Sequence, residues 1–371
     1  MVSKSNALHF AGIGLKDTEH PDYTYPGVFV KFTEFSGNKE IESEVDEGHT
    51  GRRTLNLGEV RNKASASPEI SDRFRLNQGL EDFCYHALGT MSETSVPASE
   101  NNSATFKQEI TPNIASNLPE VHILHGFNDD TQGCRIYKNG VSSELSFTMN
   151  SEDAPTLKAS YITDYPEFGD NSSVISPTFG AYLPKALKSG SLSVFFAPKS
   201  NVIDEANDRI DCLTDSEVTI NNNTEASICA GVEFGESNKD IKNLEVSGSM
   251  TLRYAGKDIE RLFATNEYNG VKVSEYSLEG ALRWKYVAQY ADPENDGKVI
   301  PLLFQIDIPN ATITNAESSE SGDDTKTISI EFNSSEDLAN VADIIKITTQ
   351  SAKQFKTGDN VTAHVCTNAG A

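Results

Sequence analysis

Apolar and polar residues alternate along much of the chain, and at two places the alternation gives way to helical spacing. In residues 69–76, Ile70, Phe74 and Leu76 share one face of a strand, and Leu80, Phe83 and Ala87 then follow at intervals of three or four. In residues 245–252, Val246, Met250 and Leu252 share a face, and Ile259, Leu262 and Phe263 follow at helical spacing. Period two turning into period 3.6 predicts a strand leading into a short helix, twice. A second echo lies downstream in each half. Residues 145–153, with Leu145, Phe147 and Met149 alternating, are matched by residues 328–337, with Ile328, Ile330 and Phe332. Both echoes come in the same order, so the chain reads as two divergent copies of one β-rich unit. The expected organisation is mainly β, in two tandem units over residues 1–204 and 205–371, each with a short flanking α-helix.

Further strands are expected over 7–15, 28–35, 121–125, 135–137, 143–149, 157–162, 191–196, 218–223, 273–278, 281–288 and 302–313. Residues 36–67 read as a long loop or irregular hairpin. Residues 90–118 and 165–190 read as long loops, because large hydrophobes are almost missing from the former and prolines punctuate the latter. A short helix is expected over 338–345, capped by Ser334 or Ser335, and a last strand over 361–365.

The chain has 371 residues, more than one ordinary core needs, which agrees with two units. Hydrophobic residues make up 37%, enough for a globular protein with much solvated strand surface. No apolar run approaches the ~18 residues of a membrane helix, and residues 1–7 lack the apolar core of a signal peptide. The five cysteines, Cys84, Cys134, Cys212, Cys229 and Cys366, are widely spaced and odd in number, which favours small buried hydrophobes over a disulfide framework. The net charge of −24 disfavours ordinary nucleic-acid binding and attachment to an anionic membrane.

Motifs of catalysis are missing: there is no nucleophile elbow, His-Glu-x-x-His, phosphate loop or dinucleotide fingerprint. His122 and His125, three apart in an expected strand, point to opposite faces and cannot share a metal. Asp129-Asp130 and Asp323-Asp324 lack the ligand spacing of a calcium loop. No catalytic, cofactor-binding or metal-binding residue is assigned, no cofactor is implied, and the chain is not expected to be an enzyme. Trp284, the only tryptophan, sits in an alternating strand and reads as core. Gly51-Arg52-Arg53 is a small basic island, read as a solvated turn or an inter-subunit contact.

Four stretches give the chain a familiar look: residues 11–15 with 25–34; Gly51-Arg52-Arg53 with 69–89; residues 133–141 and the strand after them; and residues 218–223 with 244–254. Over most of residues 8–310 the chain resembles tail tube proteins of long-tailed (siphovirus) bacteriophages. The resemblance implies β-sandwich or barrel-like tail-tube domains whose long hairpins join side by side into rings. Rings would stack into a tube that delivers DNA, in the virion tail, of a protein made in the bacterial host cytoplasm. Two copies per chain would make a homotrimer a pseudo-six-fold ring. The implied partners are further copies of the chain, a tape measure protein, and tail terminator and tip proteins; DNA would pass without specific binding and no membrane is involved.

Elementary physics agrees. Exposed strand edges are a liability unless paired, and ring closure pairs them. Four strands from each of six units would give about 24, beyond the ~16–18 that leave an aqueous channel. DNA must slide rather than stick, so an acidic or neutral bore is expected. The polar stretches 36–67, 90–118 and 165–190 are expected to order on stacking between rings. Two rival classes are a virion-associated β-sandwich binding module for a receptor or carbohydrate, and another ring-former such as a tail terminator or secretion-system tube protein. The former would show exposed aromatic clusters; the latter are shorter and single-copy.

Overall fold

The computed structural model describes residues 9–15, 28–30, 32–45, 59–76, 79–113, 118–127, 134–169, 186–198, 202–210, 213–227, 238–253, 267–268, 271–272, 278–292, 295, 297–319, 326–334 and 344–352. The first part of the chain forms β1 (His9–Leu15), β2 (Val28–Val30), β3 (Glu34–Val45), β4 (Glu59–Arg73), α1 (Leu80–Leu88), β5 (Gly89–Val96), β6 (Thr105–Pro112), β7 (Val121–Phe127), β8 (Cys134–Asn150), β9 (Thr156–Ile162) and β10 (Glu167–Gly169). The second forms β11 (Leu192–Pro198), β12 (Arg209–Ile210), β13 (Leu213–Asn221), β14 (Glu225–Ser227), β15 (Asn238–Asp240), β16 (Glu245–Arg253), β17 (Glu267–Tyr268), β18 (Val271–Lys272), β19 (Leu278–Ala291), β20 (Val299–Ser319), β21 (Thr327–Ser334) and β22 (Lys346–Ser351). The protein is mainly β, as its alternation predicts, and α1 is the one α-helix among the described residues.

The strand pairings follow one scheme twice. In the first part β3 pairs with β4, β4 with β9, β9 with β8, β8 with β7, and β7 with β1. In the second, β13 pairs with β16, β16 with β21, β21 with β20, β20 with β19, and β19 with β11. The small strands agree: β2 lies on β1 as β12 lies on β11, and β10 lies on β8 as β22 lies on β20.

Registers match residue for residue. Val141 faces Ile162 and Thr148 faces Thr156, with a bulge between Ser142 and Glu144. In the second part Thr312 faces Asn333 and Ser319 faces Thr327, with a bulge between Ile313 and Asn315. A second pair of bulges, at Val121/Ile123 and Gly280/Leu282, also falls at corresponding places. Bulges re-aim strands, so their agreement means that both long strands bend alike.

This scheme corrects two expectations. The strands of the first echo do correspond, but Ile70, opposite Ala159, has Met250, opposite Ile330, as its counterpart, four residues beyond the expected Val246. The second echo matched β8 with β21, whereas by pairing β8 corresponds to β20 and β9 to β21. Alternation survives any even shift, so it does not distinguish these matches. In addition, β11, expected to close the first half, pairs among the described residues with β12 and β19 of the second.

Residues 90–118 are not a long loop: β5 and β6 form a regular hairpin from Gly89↔Pro112 to Val96↔Thr105. The polar composition arises because β5 is nowhere fully buried and β6 buries only Thr105, Gln108 and Ile110. Residues 36–67 take the hairpin alternative, as β3 and β4, bulged between Glu42 and Ser43. The strand expected over 28–35 divides: β2 joins β1, while β3 starts at Glu34 and joins β4. The helix expected near 259–263, the one expected over 338–345 as far as residue 343, the last strand over 361–365, and Gly51-Arg52-Arg53 lie outside the described residues; residues 344 and 345 are not helical.

The large sheet is open, not closed into a barrel. Its core runs through both halves: the Phe74 ring lies 5.6 Å from Phe147, 4.9 Å from Phe304 and 5.7 Å from Tyr286. Each such buried ring contributes roughly 1.5–3 kcal/mol by leaving water. Trp284 is fully buried, as expected.

Candidate assembly interface

The two halves meet in a strand junction. β8 pairs with β13 antiparallel from Glu144↔Asn221 to Asn150↔Asp215. Leu145, Phe147 and Met149 on one strand and Ile220 and Val218 on the other are buried on the same side. Side chains close the end of the junction: Asn222 Nδ2 donates to the carbonyls of Ala87 (3.1 Å) and Ser142 (3.3 Å), and Thr224 Oγ1 donates to Ser142 O (3.1 Å). The result is one eight-stranded ribbon in the order β3-β4-β9-β8-β13-β16-β21-β20.

The β5–β6 arm reaches the other half. β6 pairs with β22 from Phe106↔Ser351 to Ile110↔Ile347. Thr349 Oγ1 donates to Gln108 Oε1 (2.6 Å), Ser103 bonds to Asp292, and Lys346 Nζ lies 2.8 Å from Glu109. Hydrogen bonds from Lys107 and then Lys346 hold the Glu109 carboxyl below its ordinary range. Helix α1 sits beneath the arm, between Gly79 (φ 103°) and Gly89 (φ 87°). A Cβ at Gly79 would lie 2.4 Å from Val30 Cγ1, so glycine serves both the backbone and the close approach. Ser351 Oγ donates to the buried Glu81 of α1 at 3.1 Å.

One broad face of the ribbon is polar. Side chains alternating with the core include Ser71, Ser160, Thr148, Thr219, Ser249 and Ser329, with acids Glu69, Glu144, Asp215, Glu217, Glu317 and Glu331. Among the residues whose side chains are described, basic groups there are few. Lys158 is held by Glu69 at 2.9 Å, and that hydrogen bond raises its pKa; Arg73 and Arg253 stand at the strand ends.

Among the described residues both margins of the ribbon are open. Among the described residues β3 pairs with β4 alone, and the end of β20 beyond Ile313 pairs with β21 alone. A margin of unpaired N–H and C=O groups is a template for another strand.

The histidines singled out in the sequence pack against neighbouring strands. His125 stacks on Phe35, with ring centroids 4.1 Å apart, and His122 Nδ1 accepts from Asn139 N at 3.4 Å. Burial, then Glu81 and Asp82, push the Cys84 thiol up, and burial raises Tyr161 and Tyr286. Cys84 is buried, as expected; the side chains of the other cysteines, and Asp129-Asp130 and Asp323-Asp324, lie outside the described residues. Among the described residues no His/Cys/Asp/Glu group could hold a metal, and no helix is long and apolar enough to cross a membrane. Asn222, Ser103 and the β5–β6 arm escaped sequence reasoning, since lone polar residues carry no periodic signal.

A family model described as phage tail tube protein matches residues 63–334, from within β4 to the end of β21. No curated protein matches the chain.

Proposed function

The chain belongs to the phage tail tube protein family, a structural component of the virion tail, and from that premise we propose that three copies close into a pseudo-six-fold ring whose stacked repeats form the DNA-conducting tube. The observation that carries this reading is the doubled strand scheme with two open margins. Eight strands per chain from three chains give 24, more than the ~16–18 that leave an aqueous channel. The repeat we propose runs from β1 to β10 and from β11 to β22, so its boundary falls ahead of Leu192 rather than after residue 204.

In this arrangement the polar face of the ribbon lines the bore. Hydroxyls and carboxylates there offer a duplex no counterion-release attraction, so DNA slides. The β5–β6 arm joins neighbouring units on the outer side, as it already joins the two halves of one chain. The tape measure, terminator and tip proteins occupy the bore and the two ends. The protein acts by assembly rather than by catalysis. Electron microscopy of the purified chain tests this: rings or tubes built from three chains, with a bore wide enough for duplex DNA, are expected. Dispersed monomers, or a bore lined by Lys and Arg, would overturn it.

A further inference from the structure

We propose that the margin formed by β3 pairs antiparallel with the end of β20 in a second copy of this chain, with Ser36 opposite Ser319, Asn38 opposite Glu317 and Glu40 opposite Asn315. The inference rests on the tube reading above and adds the register. It follows from the junction already present inside the chain.

Counterparts are fixed by shared partners. Ser36 faces Glu69 and Glu217 faces Ser249; Glu69 faces Ser160 and Ser249 faces Glu331. Because Ser160 faces Glu144 and Glu331 faces Asn315, just after the corresponding bulges, Ser36 on β3 corresponds to Glu217 on β13. Likewise Thr148, opposite Thr156, corresponds to Ser319, opposite Thr327. Inside the chain Glu217 faces Thr148, Thr219 faces Ser146 and Asn221 faces Glu144. Replacing each by its counterpart gives the pairs above.

Three observations support the transfer. The β3 margin and the β20 end are the two ribbon margins left unpaired among the described residues, and they are the counterparts of the two strands that meet inside the chain. The bulge at Ile313/Asn315 repeats the one at Ser142/Glu144, so both strands reach the junction with the same bend. None of the pairs Ser36–Ser319, Asn38–Glu317 and Glu40–Asn315 opposes like charges. Sliding the strands by two residues in one direction would set Glu40 against Glu317, which is unfavourable.

Asn38 and Glu317 are exposed, so cysteines there leave the core untouched. Directly opposed residues of an antiparallel pair lie about 4.5–5.5 Å apart at Cα, within disulfide reach, whereas diagonal neighbours lie about 7–8 Å apart, at or beyond it. The test compares the chain carrying N38C and E317C with one carrying S36C and E317C, each assembled, mildly oxidised and run on a non-reducing gel beside the unsubstituted chain. The expected result is a ladder ending at a covalent trimer for N38C/E317C and only background for S36C/E317C. Rings that form but stay uncrosslinked, or that crosslink as well through S36C/E317C, overturn the register while leaving the tube reading intact. Absence of rings from the unsubstituted chain overturns both.

Discussion

The same structural positions hold different residues in the two halves, and the differences compensate. On β3, Phe35 stacks on His125 of β7; at the corresponding place on β13, Ser216 accepts a hydrogen bond from Trp284 Nε1 of β19 at 3.0 Å. A large residue over a middling one has become a small residue under the largest. One turn of the pleat further, Gly37 gives way to Tyr137, and a Cβ at Gly37 would lie 2.1 Å from the Tyr137 hydroxyl. The counterparts are Val218 and Ile308, both fully buried. Two copies of one scaffold thus keep strand partners and bulges while volume moves across the layer. Packing density is the conserved quantity, and residue identity is free to drift.

The comparison makes quantitative demands. The largest effect is expected from Trp284→Ala, which empties a fully buried site and should cost about 3–5 kcal/mol in chemical denaturation. His125→Ala, at the partly exposed counterpart, should cost less than half as much; equal losses would contradict the asymmetry. Next comes Gly37→Val, which installs the second half's residue in the first. Overpacking should cost about 1–3 kcal/mol, and adding Tyr137→Ile should return much of it, so a double-mutant cycle showing simple additivity would refute the exchange. Ser216→Ala removes the partner of a buried indole N–H and should cost about 1–2 kcal/mol; Phe35→Ala has no such orphan to create.

The smallest effect concerns the arm, which is long in the first half, while the described residues between β16 and β19 hold the two-residue strands β17 and β18. Lys107 and Lys346 lower the pKa of Glu109. A lowered folded-state pKa means that the stabilisation is complete above the ordinary glutamate range and is lost as pH falls through the depressed value. Because the pair is largely solvated, the contribution is at most about 0.5–1 kcal/mol. Glu109→Gln should therefore flatten the acid limb of arm protection in hydrogen exchange and change little at neutral pH.

Much of the fold was legible from residues alone. Ile70, Phe74 and Leu76 declared a buried face, and Leu80, Phe83 and Ala87 declared the helix that follows. The β5–β6 arm was hidden because Ser92, Glu93, Thr94 and Ser95 face solvent or are half buried, and a strand without a buried face has no alternation to read. The margins were anticipated in kind, since a β-rich chain must dispose of its edges, but not in place.

The alternation of residues set which side chains share a face, and that the chain is built from strands with much polar surface. Which strands are neighbours, and in what register, emerges from the folded chain. The physical reason is the period of the strand. A pattern that repeats every two residues looks the same after any even slip, so Val246 and Met250 serve equally well as the echo of Ile70. Only the cross-strand partners, Ala159 for Ile70 and Ile330 for Met250, break that degeneracy.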